Sequence, residues 1–164
     1  SLASGAIDAA EWICPVADLG LGMHQAAKFY YGPGWHEPST LLDLSIDLKE
    51  WEGLDADTQA LMMEMAKAFN VDVFSRFQAL NGPALGKLLN EHGVQLKTFP
   101  DELLIALGNA AGEVMEERGS IDSQTKAICN HILSFRKNIM DWSTKGESEF
   151  ARIRNLPFKF PDSV

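Results

Sequence analysis

The sequence predicts an α/β fold that is rich in helix, has a few strands and ends in a long C-terminal helix. Three patterns of apolar residues support this prediction. They alternate with period two from Leu42 to Leu48, which indicates a strand with one buried face. They recur every four residues from Leu61 to Val73, which indicates a helix. From Ile128 to Trp142 they recur at steps of four, three, four and three, as on a helix that packs along another.

The first elements are predicted from short apolar runs and a capping residue. Residues 5–13 are apolar enough to form a strand. Residues 18–29 follow as a helix, which Asp18 opens as an acidic cap. Glycine and proline then mark a turn, and the alternating segment 42–48 provides the next strand.

The middle of the chain is predicted to be helical. A long helix begins at Asp55, and the Asn-Gly-Pro sequence at 81–83 predicts a kink or break in it. A second helical stretch, 84–91, ends at Gly93, where a helix C-terminal glycine is expected. Residues 94–97 are long enough for a short strand.

Two further helices are predicted in the C-terminal part. Pro100, followed by two acidic residues, opens the first of them, and Gly119 closes it. The last helix runs from about Asp122 to Arg152. Its apolar stripe packs either on its own domain or along a second helix, and periodicity alone leaves both alternatives open.

The composition excludes several classes of protein. The chain has 164 residues, of which 46% are hydrophobic, so a packed domain is expected rather than a disordered segment. Its net charge of -9 argues against binding to nucleic acid or to an anionic membrane, which needs a basic face. No apolar run reaches the roughly eighteen residues that a membrane-spanning helix requires. An acidic soluble carrier fits these numbers better.

Two glutamates are candidate ligands for a cation. Glu11 lies in the apolar run 5–13 beside Trp12, and Glu37 lies in a turn whose aromatic rings are expected to shield it from water. Burial of an unpaired carboxylate is costly, and a hard cation such as Na⁺ or Ca²⁺ would supply the missing partner. The alternative from the residues alone is that both are ordinary surface acids or are paired with lysine.

Other potential ligands lack a recognisable spacing. Cys14 and Cys129 are far apart in sequence, so they are either buried free thiols or, in an oxidising compartment, a disulfide. The four histidines show no metal-binding pattern, and core or surface roles are expected for His24, His36, His92 and His131. Five aromatic residues are candidates for the walls of a pocket, and among them only Trp12 is taken as a ligand contact: Trp12, Phe29, Tyr30, Tyr31 and Trp35.

Several motifs together resemble one protein family. In order along the chain they are Gly5-x-Ile-Asp-Ala-Ala-Glu11-Trp12, Pro15-x-x-Asp18-Leu-x-Leu-Gly22-x-His24, Ala27-x-x-Tyr30-Tyr31-x-Pro-Gly-Trp35-His36-Glu37-Pro38, Trp51-Glu52-x-Leu54 and His92-Gly93-Val94-x-Leu-x-x-Phe99-Pro100. The chain resembles the second half of the substrate-binding proteins of TRAP (tripartite ATP-independent periplasmic) transporters. The likeness is greatest to the branch that captures 2-oxo acids and related carboxylates together with a metal ion.

The resemblance implies a fold and a division into segments. The fold is the C-terminal part of a two-lobed periplasmic binding protein, and we expect this chain to be a fragment of a longer one. Residues 1–120 would form part of the second lobe. Residues 121–154 would form a long C-terminal helix through which two copies dimerise, and residues 155–164 would be an irregular tail.

The resemblance also implies a metal and substrate site. The side chains of Glu11 and Glu37 and the main-chain oxygen of Trp12 would bind Na⁺ or Ca²⁺, which bridges to the substrate carboxylate. Trp12 and Glu37 would also contact the substrate. The family's arginine anchor lies on the first lobe, so no arginine of this chain is assigned to the site.

The implied function is transport without catalysis. A periplasmic solute-binding protein would capture a small carboxylate, such as pyruvate, lactate or a dicarboxylate, and deliver it to the membrane subunits of the transporter. A helical interaction module without a ligand remains an alternative. A hydrolase that uses Glu11 and Glu37 as acid and base is a weaker one, since no nucleophile elbow or catalytic His-Asp arrangement is recognisable.

Overall fold

A computed structural model describes residues 1–37, 39 and 42–160. The chain forms two compact units, residues 1–100 and residues 101–164. Packing therefore groups residues 101–120 with the C-terminal helix, whereas the resemblance implied a boundary after residue 120. The assignment of residues 1–120 to one lobe of a larger protein stays a prediction.

The first unit contains three α-helices and two strands within its described residues. In chain order these are α1 (Pro15–Gly20), β1 (Phe29–Gly32), α2 (Leu48–Glu52), α3 (Ala56–Asn90) and β2 (Gln95–Thr98), with 3₁₀ turns at Leu2–Ser4 and Met23–Gln25.

The two strands are parallel neighbours. Phe29 pairs with Gln95 at one end of the ladder, and Gly32 pairs with Thr98 at the other. Parallel strands need a crossover connection, and the chain between them includes the long helix α3. The predicted short strand at 94–97 is therefore confirmed with its bounds shifted by one residue, but its partner β1 was not predicted.

Helix α1 packs on α3 and is capped by it. Pro15 occupies the first turn of α1, and the side chain of Cys14 at the N-cap makes no capping hydrogen bond. The side chain of Asn81 in α3 supplies one instead, because its Oδ1 accepts a hydrogen bond of 3.1 Å from the Val16 N–H. A long-range contact thus fixes the start of a helix of only six residues.

Two predictions about the start of the chain are wrong. Residues 5–13 contain no strand, and the predicted helix 18–29 is instead α1, a 3₁₀ turn and the beginning of β1. An apolar run becomes a strand only when a neighbouring strand pairs with its backbone, and the described residues offer 5–13 no such partner. The helix ends early because the chain turns at Gly22, whose φ is 71°.

The predicted strand at 42–48 is also wrong, because 42–47 is irregular and Leu48 begins α2. Leu42 and Leu44 line one side of an apolar groove of about 530 Å³, whose other side is α3 with Met65 and Phe69. The period-two pattern therefore places leucines along a groove beside a helix rather than in a sheet.

Helix α3 runs without a break through the Asn-Gly-Pro sequence, with Pro83 inside it. A proline inside a helix costs about 3 kcal/mol through a lost hydrogen bond and a clash. Ala84, directly after the proline, and Leu88, one turn further along, are buried together with Val94 and form the core of this unit. Complete burial of one leucine contributes about 1.5–3 kcal/mol, so tertiary packing offsets the penalty.

The second unit confirms the predicted helices. Helix α4 (Asp101–Gly119) packs against α5 (Ser123–Ser143), which continues through a π-helical turn (Thr144–Ser148) into α6 (Glu149–Arg154). Asp122 caps α5, since its Oδ1 accepts a hydrogen bond of 2.7 Å from the Thr125 N–H, and this bond lowers the pKa of Asp122. Residues 156–160 are irregular, as predicted, and 161–164 lie outside the described residues.

No helix in the described part of the chain combines the length and the apolar character that crossing a bilayer requires. Cys14 and Cys129 are both free thiols in the structure.

Candidate metal centre

An open cleft of about 1,320 Å³ lies in the first unit. Its walls come from the segment before α1, from β1 and from the turn that follows β1. All five aromatic residues that the sequence offered for a pocket line it: Trp12, Phe29, Tyr30, Tyr31 and Trp35. An apolar wall of this kind suits a small organic ligand, with a few polar groups fixing its orientation.

The two predicted carboxylates meet in this unit. One ligand atom each from Glu11, His36 and Glu37 lies within 4.8 Å of the others. Glu11 and His36 also line the cleft. Glu37 follows the turn after β1, and Glu11 precedes α1, so residues distant in sequence are brought together. The cluster is therefore a product of the fold rather than of local sequence.

The spacing fits one cation. Calcium–oxygen distances are about 2.3–2.6 Å, so two donors on opposite sides of an ion lie roughly 4.6–5.2 Å apart. Donor atoms within 4.8 Å of one another can thus share one ion. Carboxylate oxygens are the donors that Ca²⁺ and Na⁺ prefer, so the chemistry of Glu11 and Glu37 fits such an ion.

His36 is the member of the cluster that the sequence reasoning missed. Its Nε2 lies 3.7 Å from Oε2 of Glu11, and its ring is 5.3 Å from the Trp35 ring. An imidazole nitrogen is a softer ligand than the oxygens hard cations prefer, so His36 is better placed to orient Glu11 than to bind Na⁺ or Ca²⁺. Its position directly before Glu37 in the sequence was the available signal.

Trp12 follows Glu11 directly, and its side chain lines the cleft with 49% of its surface exposed. Both glutamates are exposed in this chain. The expectation that aromatic rings shield Glu37 from water is therefore wrong in this chain. The roles of Glu11, Trp12 and Glu37 in binding stay predictions.

A hydrogen bond crosses between α1 and β1 beside the cleft. The Tyr30 hydroxyl donates to Oδ2 of Asp18, a residue that is only 7% exposed. Burial of the Tyr30 ring raises the pKa of its hydroxyl, and the hydrogen bond to Asp18, the charge of that carboxylate and nearby Cys14 raise it further. The Tyr30 hydroxyl thus stays protonated, and remains a hydrogen-bond donor, over the physiological pH range.

Two histidines stack at the edge of the same unit. The rings of His24 and His92 are 4.0 Å apart, and Lys28 donates a 3.4 Å hydrogen bond to the main-chain oxygen of His92. Desolvation, His92 and Lys28 all lower the pKa of His24. The stacked rings join the 3₁₀ turn before β1 to the segment that follows α3.

The sequence profile of bacterial extracellular solute-binding protein family 7, the DctP family, matches residues 1–120. The chain belongs to this family. Its members and the similar proteins below are solute-binding proteins of transport systems rather than enzymes. The hydrolase alternative is therefore not supported.

A curated relative carries a more specific description. The monocarboxylate 2-oxoacid-binding periplasmic protein of Nostoc sp. (strain PCC 7120) is 35% identical over 150 residues, which cover 92% of this chain and 41% of the relative. The chain thus spans less than half the length of this relative.

Three solved structures share the fold. One is the TRAP transporter solute-binding protein of Bordetella bronchiseptica RB50, which is 29% identical with a TM-score of 0.83; the match covers 93% of this chain and 45% of that protein. That structure is a mixed-occupancy dimer with copurified calcium and picolinate in one active site and an apo second site. The TRAP periplasmic solute-binding protein of Colwellia psychrerythraea, with bound calcium and pyruvate, is 30% identical with a TM-score of 0.83. The match covers 92% of this chain and 46% of that protein. The corresponding protein of Pseudoalteromonas atlantica T6c, with bound sodium and pyruvate, is 29% identical with a TM-score of 0.83. The match covers 96% of this chain and 47% of that protein.

Proposed function

We propose that this chain is part of the periplasmic solute-binding protein of a TRAP transporter, which captures a small 2-oxo acid together with Ca²⁺ or Na⁺. The observation that carries the proposal is the cluster of Glu11, His36 and Glu37, whose ligand atoms lie within 4.8 Å at an aromatic cleft. Two of the similar structures hold pyruvate with calcium or with sodium, and the third holds picolinate with calcium. Both organic ligands bear a carboxylate.

Charge explains why the ion is needed. The ligand is an anion, the chain carries a net charge of -9, and Glu11 and Glu37 are both acidic. Without a cation these carboxylates would repel the ligand, whereas a bound cation turns repulsion into attraction. The ion thus supplies a positive centre for the ligand carboxylate and its neighbouring oxygen.

The residues of this chain have separate tasks in the proposed site. Glu11 and Glu37 would hold the ion through their side chains, and Trp12 through its main-chain oxygen. The rings of Trp12 and Tyr31 would form apolar walls that exclude water and strengthen the polar contacts at the ion. Glu37 and Trp12 would also touch the substrate, and an arginine anchor is expected on the first lobe of the longer protein.

The test is a thermal-shift titration of the full-length protein with pyruvate, longer 2-oxo acids, lactate and dicarboxylates. Because such a ligand binds the folded state, it stabilises that state by about 2.7 kcal/mol at a hundredfold excess over Kd. We expect the melting temperature to rise with 2-oxo acids in Ca²⁺ or Na⁺. The shift should disappear with a chelator in Na⁺-free buffer.

Two outcomes would contradict the proposal. A shift that survives complete removal of both cations would exclude the metal-assisted site. The absence of a shift with any carboxylate would favour the alternative of a helical interaction module.

We also propose that two copies associate through the C-terminal helix. The apolar stripe on α5 is solvent-exposed within this unit, with exposed fractions of 53% for Ile128, 48% for Ile132, 62% for Phe135 and 67% for Trp142. Such a stripe is typical of a helix that packs on a partner. The Bordetella structure is described as a dimer, which supports the proposal for this family.

The mass of the full-length protein in solution tests the dimer. We expect light scattering to give twice the chain mass, and Phe135→Glu to shift the protein to monomers because it places a charge in the apolar contact. Leu61→Glu is the matched control, because Leu61 is an exposed apolar residue of α3. This variant should leave the dimer intact. A monomer at all concentrations for the unsubstituted protein would refute this proposal.

A further inference from the structure

The Asp18–Tyr30 hydrogen bond joins the two chain segments that carry the candidate ligands. Glu11 lies just before α1, the helix that contains Asp18, and Glu37 lies just after β1, the strand that contains Tyr30. Within the described residues, this is the side-chain hydrogen bond that links α1 directly to β1. A change at this bond can therefore alter the distance between the two carboxylates without touching either.

Asp18 is an unfavourable choice if the bond serves stability alone. The side chain is buried, and its Oδ1 has no hydrogen-bond partner among the residues that the structure describes. Burial of a charged group with an unpartnered oxygen costs free energy, and an apolar residue at this position would avoid the cost. What a carboxylate adds is a strong and directional acceptor for the Tyr30 hydroxyl.

Resting on the function proposed above, we propose that Asp18 and Tyr30 are positioning residues of the metal centre. Their hydrogen bond holds β1 against α1 so that Glu11 and Glu37 reach the same ion. Neither residue belongs to the donor cluster, so both act through the glutamates. Groups that orient metal ligands commonly change metal affinity by about 10–100-fold when they are removed.

The experiment is calorimetric titration of the metal-free full-length protein with Ca²⁺. Tyr30→Phe removes only the hydroxyl, and we expect Ca²⁺ affinity to fall about 10–100-fold. Asp18→Asn keeps an oxygen acceptor without its charge, and neutral hydrogen bonds are about half as strong as charge-assisted ones. Its Ca²⁺ affinity should therefore lie between those of the unsubstituted protein and Tyr30→Phe.

Asn81→Ala is the matched control. It removes a different long-range hydrogen bond of α1, the one from Val16, which joins this helix to α3 rather than to β1. We expect a lower melting temperature and a smaller loss of Ca²⁺ affinity than in Tyr30→Phe, since this bond holds the start of α1 but leaves the link between α1 and β1 in place. This variant separates a general weakening of α1 from loss of the link to β1.

The outcomes distinguish this proposal from the function on which it rests. If the unsubstituted protein binds neither Ca²⁺ nor Na⁺, both proposals fail. If it binds and Glu11→Gln abolishes binding while Tyr30→Phe keeps full affinity, only the positioning proposal fails. If Tyr30→Phe does not fold, Asp18→Asn decides the matter, because an unchanged Ca²⁺ affinity in that variant would overturn the proposal.

Discussion

Glutamine in place of Glu11 or Glu37 is expected to weaken the binding of Ca²⁺ or Na⁺ to the full-length protein at least tenfold. Glutamine keeps the shape and one oxygen of the side chain but removes the charge, and charge count among the ligands sets the affinity of a hard-cation site. Because the two carboxylates belong to one cluster within 4.8 Å, loss of either should affect the same ion. Calorimetric titration with each metal measures the effect.

Carboxylate binding should fall together with metal binding. At a metal concentration that saturates the unsubstituted protein, pyruvate should produce little heat with either variant. Glu50→Gln provides the control, since Glu50 is an exposed acid in the first turn of α2 and is neither in the cluster nor at the cleft. Unchanged affinities for metal and pyruvate in both Glu11→Gln and Glu37→Gln would exclude these residues as ligands.

The starts of α3, α4 and α5 were predictable because capping is a local interaction. Asp55 accepts a 2.9 Å hydrogen bond from the Thr58 N–H, and Asp122 caps α5 in the same way. The acidic opening of α4 after Pro100 was equally readable. Each of these signals lies within a few residues of the boundary that it sets.

The strands were less predictable because pairing is a long-range interaction. Residues Phe29–Gly32 form β1 only because Gln95–Thr98 lies beside them, after a long helix. Conversely, the alternation at Leu42 and Leu44 is clear in the sequence, yet these residues face a groove on α3. Alternation shows that one face is apolar and does not show what covers that face.

The candidate site shows the same division between local and long-range information. A family motif identified Glu11 and Glu37 as candidates, and the fold places them in one cluster. The addition of His36 and the bond between Asp18 and Tyr30 depend on how β1 lies against α1 and β2, which no local pattern encodes. The sequence thus predicted the candidate ligands, whereas the structure was needed to propose the residues that position them.

Truncation of Leu88 to alanine is expected to destabilise the first unit by about 2–5 kcal/mol, the range for a leucine removed from a packed core. Leu88 is only 2% exposed, its carbonyl accepts a 3.0 Å hydrogen bond from the Val94 N–H, and few other side chains of this unit are buried. The loss is therefore a large share of the stability that a domain of this size has. Urea unfolding followed by tryptophan fluorescence measures it.

Leu61→Ala is the matched control for Leu88→Ala, because it makes the same substitution in the same helix at a residue that is 62% exposed in this chain. Surface substitutions usually change stability by about 0.5 kcal/mol or less, so the two variants of this chain should differ clearly. If they lost equal stability, the core formed by Ala84, Leu88 and Val94 would not be what holds α3 together across Pro83. The continuous helix would then need another source of stability to offset the proline.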